Sequence, residues 1–366
     1  MPFEQPAAGV PLAPLTTLGV GGEARWFARA SSATDVAAAH DWADARGLPL
    51  FVLGGGSNLV ISDEGCEGLV IQIALGGVNR SARGEDTLVR AGAGEPWDAL
   101  VAFTVDRGLA GVECLSGIPG TVGGTPIQNV GAYGQEVATV IDSVTAFDRK
   151  ERRTVVLAAP ECGFAYRMSR FKSQDAGRFV VCDVTFRLRQ GSPTVAYPDV
   201  IDYVSRQGIA SPDVRSVREA VLAIRARKGM VIDAADPDTR SVGSFFMNPV
   251  VDRARFEQIA TAFSGSVDRA GPRPPCFMMD NDTVKIPAAW LIEQSGFSRG
   301  HVDGAVGLST KHPLAIINRG GATARDVIRL ARSIKRAVGD RFGVALRPEP
   351  IFVGFTGDRD VEDLRG

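Results

Sequence analysis

The segment Gly117-Ile118-Pro119-Gly120-Thr121-Val122-Gly123-Gly124-Thr125-Pro126-Ile127-Gln128-Asn129-Val130-Gly131-Ala132-Tyr133-Gly134 holds six glycines and two prolines in eighteen residues. Neither a regular helix nor a central strand tolerates that composition. The chain must therefore follow one fixed irregular path there. Loops of this length are usually functional or disordered, and Ile118, Val122 and Ile127 argue for order. A shorter cluster, Gly54-Gly55-Gly56-Ser57-Asn58, follows the apolar strand Phe51-Val52-Leu53. A run of uncovered backbone N–H groups makes an anion-binding concavity. This is not the dinucleotide fingerprint, because Leu59 stands where the third glycine belongs, and no Gly-Lys-Ser/Thr follows to make a P-loop. Two separated glycine-rich loops can grip one extended anionic ligand, such as the pyrophosphate of a dinucleotide, with Gln128 and Asn129 hydrogen-bonding a ring edge. A pair of plain turns is the structural alternative.

At 366 residues and 45% hydrophobic, the chain can bury a sizeable core over two or three domains. Lys and Arg number 41 against 42 Asp and Glu, so no basic excess points to nucleic acid or a membrane surface. An anionic ligand must be met by local charge. Cys66, Cys114, Cys162, Cys182 and Cys276 include no C-x-x-C pair, so neither a metal site nor a disulfide framework is expected. Met1 to Leu15 has no Lys or Arg ahead of an apolar run, and no stretch approaches the ~18 apolar residues of a membrane span. The chain reads as a cytoplasmic protein without membrane insertion.

Periodicity predicts a helix from about Thr34 to Arg46, with Ser32 or Thr34 as N-cap and Gly47 as stop. Strands are predicted at Leu69–Ile73, Thr87–Ala93, Val140–Asp148, Arg153–Leu157 and Phe179–Leu188. Pro96 suits the first turn of a helix running to Asp106. Val217, Ala220, Val221 and Ile224 share a helical face that stops near Gly229; Asp233 to Arg240 reads as a loop, and Gly271 to Pro275 is proline-rich. The strongest helix carries Val327, Leu330, Ala331, Ile334, Ala337 and Val338, with Thr323 and Asp326 resembling a capping box. A strand from Gly343 to Val353, broken by Pro348 and Pro350, is expected to close the chain. Strands first and helices later suit an α+β fold.

The phrases Gly54–Asn58, Gly117–Gly134, Phe164-Ala165-Tyr166-Arg167, Gly243-Ser244-Phe245-Phe246-Met247-Asn248-Pro249 and Pro348-Glu349-Pro350 stand in this order. In this the chain resembles the UDP-N-acetylenolpyruvoylglucosamine reductase (MurB) family, from about Leu15 to Gly354. The resemblance implies noncovalent FAD in a two-part binding domain of the vanillyl-alcohol-oxidase (PCMH) type, a separate substrate domain, and NADPH as reductant. The implied substrate is UDP-N-acetylglucosamine enolpyruvate, and the product UDP-N-acetylmuramate in peptidoglycan precursor synthesis. FAD would lie against Gly54, Gly55, Gly56, Ser57, Asn58, Ile118, Pro119, Gly123, Gly124, Ile127 and Gln128, with Arg225 near the flavin. Arg167 and Glu349 would stabilise the enolate left by hydride addition, and Ser244 would protonate it. Tyr166, Tyr197, Lys228 and Asn248 would touch the substrate.

Each residue also has a plainer reading. Arg167 alone could be a solvated surface arginine. Glu349 could be a solvated edge residue between prolines that donate no hydrogen bond. Ser244 could sit in a turn; no Gly-x-Ser-x-Gly marks it as a hydrolase nucleophile, and His40, His301 and His312 are the only histidines. Arg225, Arg227 and Lys228 could simply complement a helix C-terminus. Two departures from the family pattern stand out. Pro198 follows Tyr197 where glycine is usual, which stiffens a loop expected to close over the substrate. Ala288-Ala289-Trp290 replaces Ala-Gly-Trp at an expected helix start. The expected organisation is an FAD subdomain at about 1–75, a second at 76–225 completed by 339–366, and a substrate domain at 226–338. The protein is expected to act as a monomer. Another flavoenzyme of the same FAD fold, oxidising an alcohol or hydroxy acid, and a non-catalytic nucleotide-binding protein remain alternatives.

Overall fold

The computed structural model describes residues 4–264, 274–279 and 282–366. Part of the expected proline-rich stretch, residues 271–273, lies outside the described residues, as do residues 1–3. The chain divides into two compact units. The first holds Met1–Pro11, Glu23–Gly56 and Cys66–Ile232; the second holds Leu12–Gly22, Ser57–Gly65 and Asp233–Gly366.

The first unit contains helices α1 (Ala33–Asp44), α2 (Trp97–Val105), α3 (Pro198–Arg206) and α4 (Val214–Arg227). Ser32 caps α1: its side chain accepts from the Asp35 N–H, while Asp35 reaches back, closing the capping box. Pro96 is the N-cap of α2 rather than its first helical residue. One sheet has the order Ala7–Pro11, Glu23–Ala30, Cys66–Ile73, Leu50–Leu53. Its last three strands run parallel, which the crossover through α1 makes possible. The second sheet is antiparallel, in the order Arg153–Ala158, Ile141–Asp148, Phe179–Gln190, Asp86–Gly92, Val78–Arg83, with Leu109–Ala110 also pairing with Phe179–Gln190. Val144, Val184 and Ala91 stand side by side across it and are fully buried. They join Ile71 of the first sheet and Trp97 and Val101 of α2 in one apolar cluster. Val200 and Val204 of α3 pack on Val217, Ala220, Val221 and Ile224 of α4 as a smaller cluster.

The second unit contains α5 (Arg253–Ser264), α6 (Ala288–Gln294), α7 (Ala324–Phe342) and α8 (Arg359–Arg365). The Thr323–Asp326 capping box opens α7, and Gly343 ends it in the left-handed region at φ +60°. Val327, Leu330, Ala331, Ile334 and Val338 bury one face of α7. Two small three-stranded sheets and a parallel pair, Ile351–Val353 beside Leu59–Ile61, complete the unit.

Several elements differ from the sequence reading. The closing strand shrinks to Ile351–Val353, because Pro348 and Pro350 withhold the N–H groups a longer ladder needs. Its partner is Leu59–Ile61, so 339–366 groups with 233–338 and not with the sheet of 76–225. Pro198 does not stiffen a loop; it is the first residue of α3, where its fixed φ and missing N–H suit a helix start. Helix α8 had no counterpart in the sequence reading. All five cysteines are free thiols, and burial pushes Cys114 up to about 12 and Cys162 and Cys182 up to about 11. No helix among the described residues is long and apolar enough to cross a membrane.

Candidate active site

In the first unit the two glycine-rich segments meet backbone to backbone. A Cβ on Gly55 would lie 2.6 Å from Gly120 Cα, and one on Gly54 would lie 3.0 Å from Thr121 Oγ1. Glycine is required here by this approach, whatever the local φ. The long segment is laced to the entry of α2. The Trp97 N–H donates to Gly120 O (3.0 Å), the Val122 N–H to Glu95 O (2.9 Å), and the Gly123 N–H to Ala93 O (2.9 Å). Ile118 and Ile127 pack against the main apolar cluster, so the order inferred from these apolar residues has a physical basis.

Two carboxylates, Asp98 half-exposed and Glu113 buried, hold the backbone around the segment. Asp98 accepts from the Gly117 N–H (2.6 Å) and forms a two-pronged pair with Arg218 at 2.6 and 2.8 Å. Burial pushes the Asp98 carboxyl up, but Arg218, the Gly117 N–H and Arg225 outweigh it and leave it below the usual range. Glu113 is fully buried and accepts from the Gly111 N–H (2.6 Å), Gln135 Nε2 (2.8 Å) and the Thr194 N–H (3.1 Å). Neither acid was singled out from the sequence, because their partners are distant in the chain. Arg225, which the helix-end reading would leave in solvent, is only 7% exposed. Its Nη2 donates to Met230 O at 2.8 Å and Gly117 O at 3.3 Å, while its buried Nε has no hydrogen-bond partner. Glycine backbone laid side by side and an orphaned guanidinium N–H next to Gly117 both suit a dinucleotide such as FAD.

Tyr166 and Arg167 form the tip of a tight turn closed by two Ala165–Met168 hydrogen bonds of 3.0 Å. Arg167 sits at φ +53°, a conformation that costs a non-glycine residue on the order of 1 kcal/mol. Its guanidinium donates to Gly131 O at 2.6 Å and Asn129 O at 3.4 Å. The strain therefore aims a cation at the glycine-rich segment. Asn129 is not available for a ring edge. It is buried, donates to Glu136 (2.8 Å) and Ala165 O (3.1 Å), and accepts from the Ala138 N–H (3.0 Å). Tyr133 and Tyr197 pack edge to face at 5.3 Å. Lys228, the C-cap of α4, lies 5.8 Å from the Tyr133 ring and 2.7 Å from Asp199 in the first turn of α3. Burial pulls the Lys228 ammonium down, yet Asp199, Tyr133 and Tyr197 leave it raised overall. A helix start and a helix end thus bring an aromatic pair and a cation together.

In the second unit Ser244 Oγ meets His312, and the Glu349 backbone pairs with Phe245, the residue after Ser244. The Phe245 N–H donates to Leu314 O (2.8 Å), the Met247 N–H to Arg347 O (3.0 Å), and the Glu349 N–H to Phe245 O (2.9 Å). This short ladder sets the Gly-Ser-Phe-Phe phrase against the Pro-Glu-Pro phrase, with Phe246 bridged to Pro348. Ser244 Oγ lies 3.2 Å from His312 Nε2, a contact that was not foreseen. Asn58 belongs to the same unit: its Nδ2 donates to Glu349 O (3.3 Å), and its own carbonyl accepts from the Ile351 N–H (2.9 Å). Ser57 O accepts from Thr17 Oγ1 at 3.4 Å. Asn248 Oδ1 accepts from the Ala288 N–H at 2.9 Å, so part of its side chain serves α6. No group of three or more His, Cys, Asp or Glu among the described residues is placed to hold a metal ion.

Residues 236–353 match the family model of the UDP-N-acetylenolpyruvoylglucosamine reductase C-terminal domain, and residues 24–155 match that of an FAD binding domain. The chain is 48% identical over 357 residues to a UDP-N-acetylenolpyruvoylglucosamine reductase of Thermobifida fusca, covering 96% of this chain and 98% of that one. It is 44% identical over 360 residues to a protein of the same name from Mycobacterium tuberculosis, with 95% of each chain covered. Among solved structures it is similar to the UDP-N-acetylenolpyruvylglucosamine reductase of Thermus caldophilus, at 27% identity and a TM-score of 0.63 over 94% of this chain and 97% of that one.

Proposed function

Because the chain belongs to the UDP-N-acetylenolpyruvoylglucosamine reductase family and carries an FAD binding domain, we propose that it uses NADPH to reduce UDP-N-acetylglucosamine enolpyruvate to UDP-N-acetylmuramate, a step of peptidoglycan precursor synthesis. Bound FAD supplies hydride transfer, from the nicotinamide to the enolpyruvyl β-carbon. The protein's own residues handle the charge and the proton. Hydride addition leaves negative charge on the α-carbon and its carboxylate, and the planar Arg167 guanidinium neutralises it. Glu349 assists in stabilising the same charge. Ser244 gives its hydroxyl proton to the α-carbon. Lys228 meets the anionic diphosphate, Tyr197 and Tyr166 cover the nucleotide, and Asn248 offers its amide N–H groups. The glycine backbones at 54–56 and 120–124, with Ser57, Asn58, Ile118, Pro119, Ile127, Gln128 and Arg225, hold the dinucleotide.

The observation that carries this reading is the backbone strain at Arg167, which holds a cation against the glycine-rich segment. Purified protein should be yellow, release all its flavin on acid precipitation, and oxidise NADPH only when the enolpyruvyl sugar nucleotide is added. Ser244→Ala should leave flavin reduction by NADPH nearly intact and slow reoxidation by the substrate about 10²–10⁴-fold. Equal slowing of both half-reactions would mark Ser244 as a structural serine.

A further inference from the structure

We infer that His312 is a positioning residue for Ser244: its Nε2–H donates to Ser244 Oγ, leaving the hydroxyl proton turned towards the substrate carbon. This rests on the proton-donor role given to Ser244 above. The contact is 3.2 Å, and both sides of it are anchored. The Ser244 side is fixed by the Phe245 N–H to Leu314 O bond, which ties it to the chain just beyond His312. The His312 side is a tight turn. Ser309 and Ala315 pair through a 2.9 Å bond, the Ala315 N–H donates to His312 O at 3.1 Å, and the buried Ser309 hydroxyl accepts from the Lys311 and His312 N–H groups at 3.0 and 3.2 Å. Thr310 clamps the turn to Asp238 through its N–H at 3.0 Å and its hydroxyl at 2.5 Å. A turn held this firmly fixes the backbone that carries the imidazole, and an imidazole so placed can orient a neighbouring hydroxyl.

The inferred direction of the hydrogen bond follows from the proton-donor role of Ser244 and the proton count. A serine hydroxyl has one proton and two lone pairs. If Nε2 accepted that proton, the O–H would point at the ring and away from any carbon. With Nε2–H as donor, a lone pair is engaged and the O–H is left for the substrate. When Ser244 reacts, its O–H bond breaks, the Cα–H bond forms, and the electron pair stays on Oγ as alkoxide. The Nε2–H bond to that oxygen becomes charge-assisted and so strengthens as the proton leaves. Solvent water returns a proton to Oγ before the next turnover.

The test uses stopped-flow absorbance of the FAD-loaded enzyme. His312→Ala should slow flavin reoxidation by the enolpyruvyl substrate about 10–100-fold, the worth of one charge-assisted donor, and leave reduction by NADPH unchanged. Its solvent deuterium isotope effect on reoxidation should rise. His312→Gln, whose amide can also donate, should recover most of the rate. Ser244→Ala/His312→Ala should be no slower than Ser244→Ala alone, because the two act as one unit. If His312→Ala loses flavin, His312→Phe fills the space without a donor and takes its place. Reoxidation at the parent rate, equal slowing of both half-reactions, a glutamine variant as slow as alanine, or an additive double variant would each overturn the inference. If Ser244→Ala itself reoxidises at the parent rate, the proton-donor reading falls first; if only the His312 variants do, that reading survives.

Discussion

In the first unit the glycine-rich segments offer backbone to the candidate dinucleotide, and side chains hold that backbone: Glu113 ties Gly111, Gln135 and Thr194 together, Asp98 pins Gly117, and Asn129 locks the segment to Glu136 and Ala165. In the second unit the relation is inverted. The groups that would act, Ser244, His312 and Glu349, are side chains, and backbone bonds at Phe245, Met247 and the 309–315 turn hold them. A site made of backbone fails when bulk is added, since every contact is a close approach. A site made of side chains fails when a donor or acceptor is removed. The two kinds of variant should therefore have different readouts: cofactor retention where bulk is added to the glycine-rich backbone, and rate or Michaelis constant where a side-chain donor or acceptor is removed, in either unit.

The largest expected effect breaks the backbone site. Gly55→Val puts a branched side chain where even a Cβ lies 2.6 Å from Gly120 Cα. Gly120 is pinned to Trp97 and cannot give way. Overpacking of this kind costs up to about 3 kcal/mol, so flavin affinity should fall roughly 100-fold and the protein should purify colourless. Gly191→Ala, where a Cβ meets nothing within 4 Å, should stay yellow; equal flavin content in both variants would remove the close-approach argument. Next comes Lys228→Ala. The ion pair with Asp199 is 37% and 44% exposed, so losing it changes stability little. A rise in the Michaelis constant equivalent to about 1.5–3 kcal/mol with flavin retained would report a substrate contact. An unchanged constant would return Lys228 to its role at the end of α4.

The contrast also explains what was legible beforehand. Glycine density announces a backbone site by composition alone, so the segments at 54–58 and 117–134 could be singled out without their partners. Helices with local signals were equally readable: Ser32 with Asp35 opens α1, and Thr323 with Asp326 opens α7. Long-range partners were not. Ser244 and His312 lie 68 residues apart, and Glu113 and Thr194 lie 81 apart, so no local pattern joins them. Helix α3 was missed because its buried face is only Val200 and Val204, too few for a clear period. The strand expected over Gly343–Val353 reflects a true alternation, since Val344 and Leu346 are buried. They fill the second unit's core without a ladder, because the prolines that follow cannot donate to one.

The smallest expected effect lies where the two building modes overlap. Asn248 is a candidate substrate contact, yet its Oδ1 accepts from the Ala288 N–H at 2.9 Å. Helix α6 needs that bond: its N-cap residue is Pro287, whose side chain offers no cap, and Ala288, Leu291 and Ile292 are buried in the second unit's core. Asn248→Ala removes both functions, so it should cost about 1 kcal/mol of stability, the worth of a helix cap, and also raise the Michaelis constant. Asn248→Asp separates them. A carboxylate still accepts from Ala288, and its charge suits a helix N-terminus. It has no N–H to offer the substrate and would repel an anionic one. Thermal unfolding of Asn248→Asp should therefore match the parent while its Michaelis constant rises several-fold. A parent-like constant with lowered stability would make Asn248 a helix cap alone.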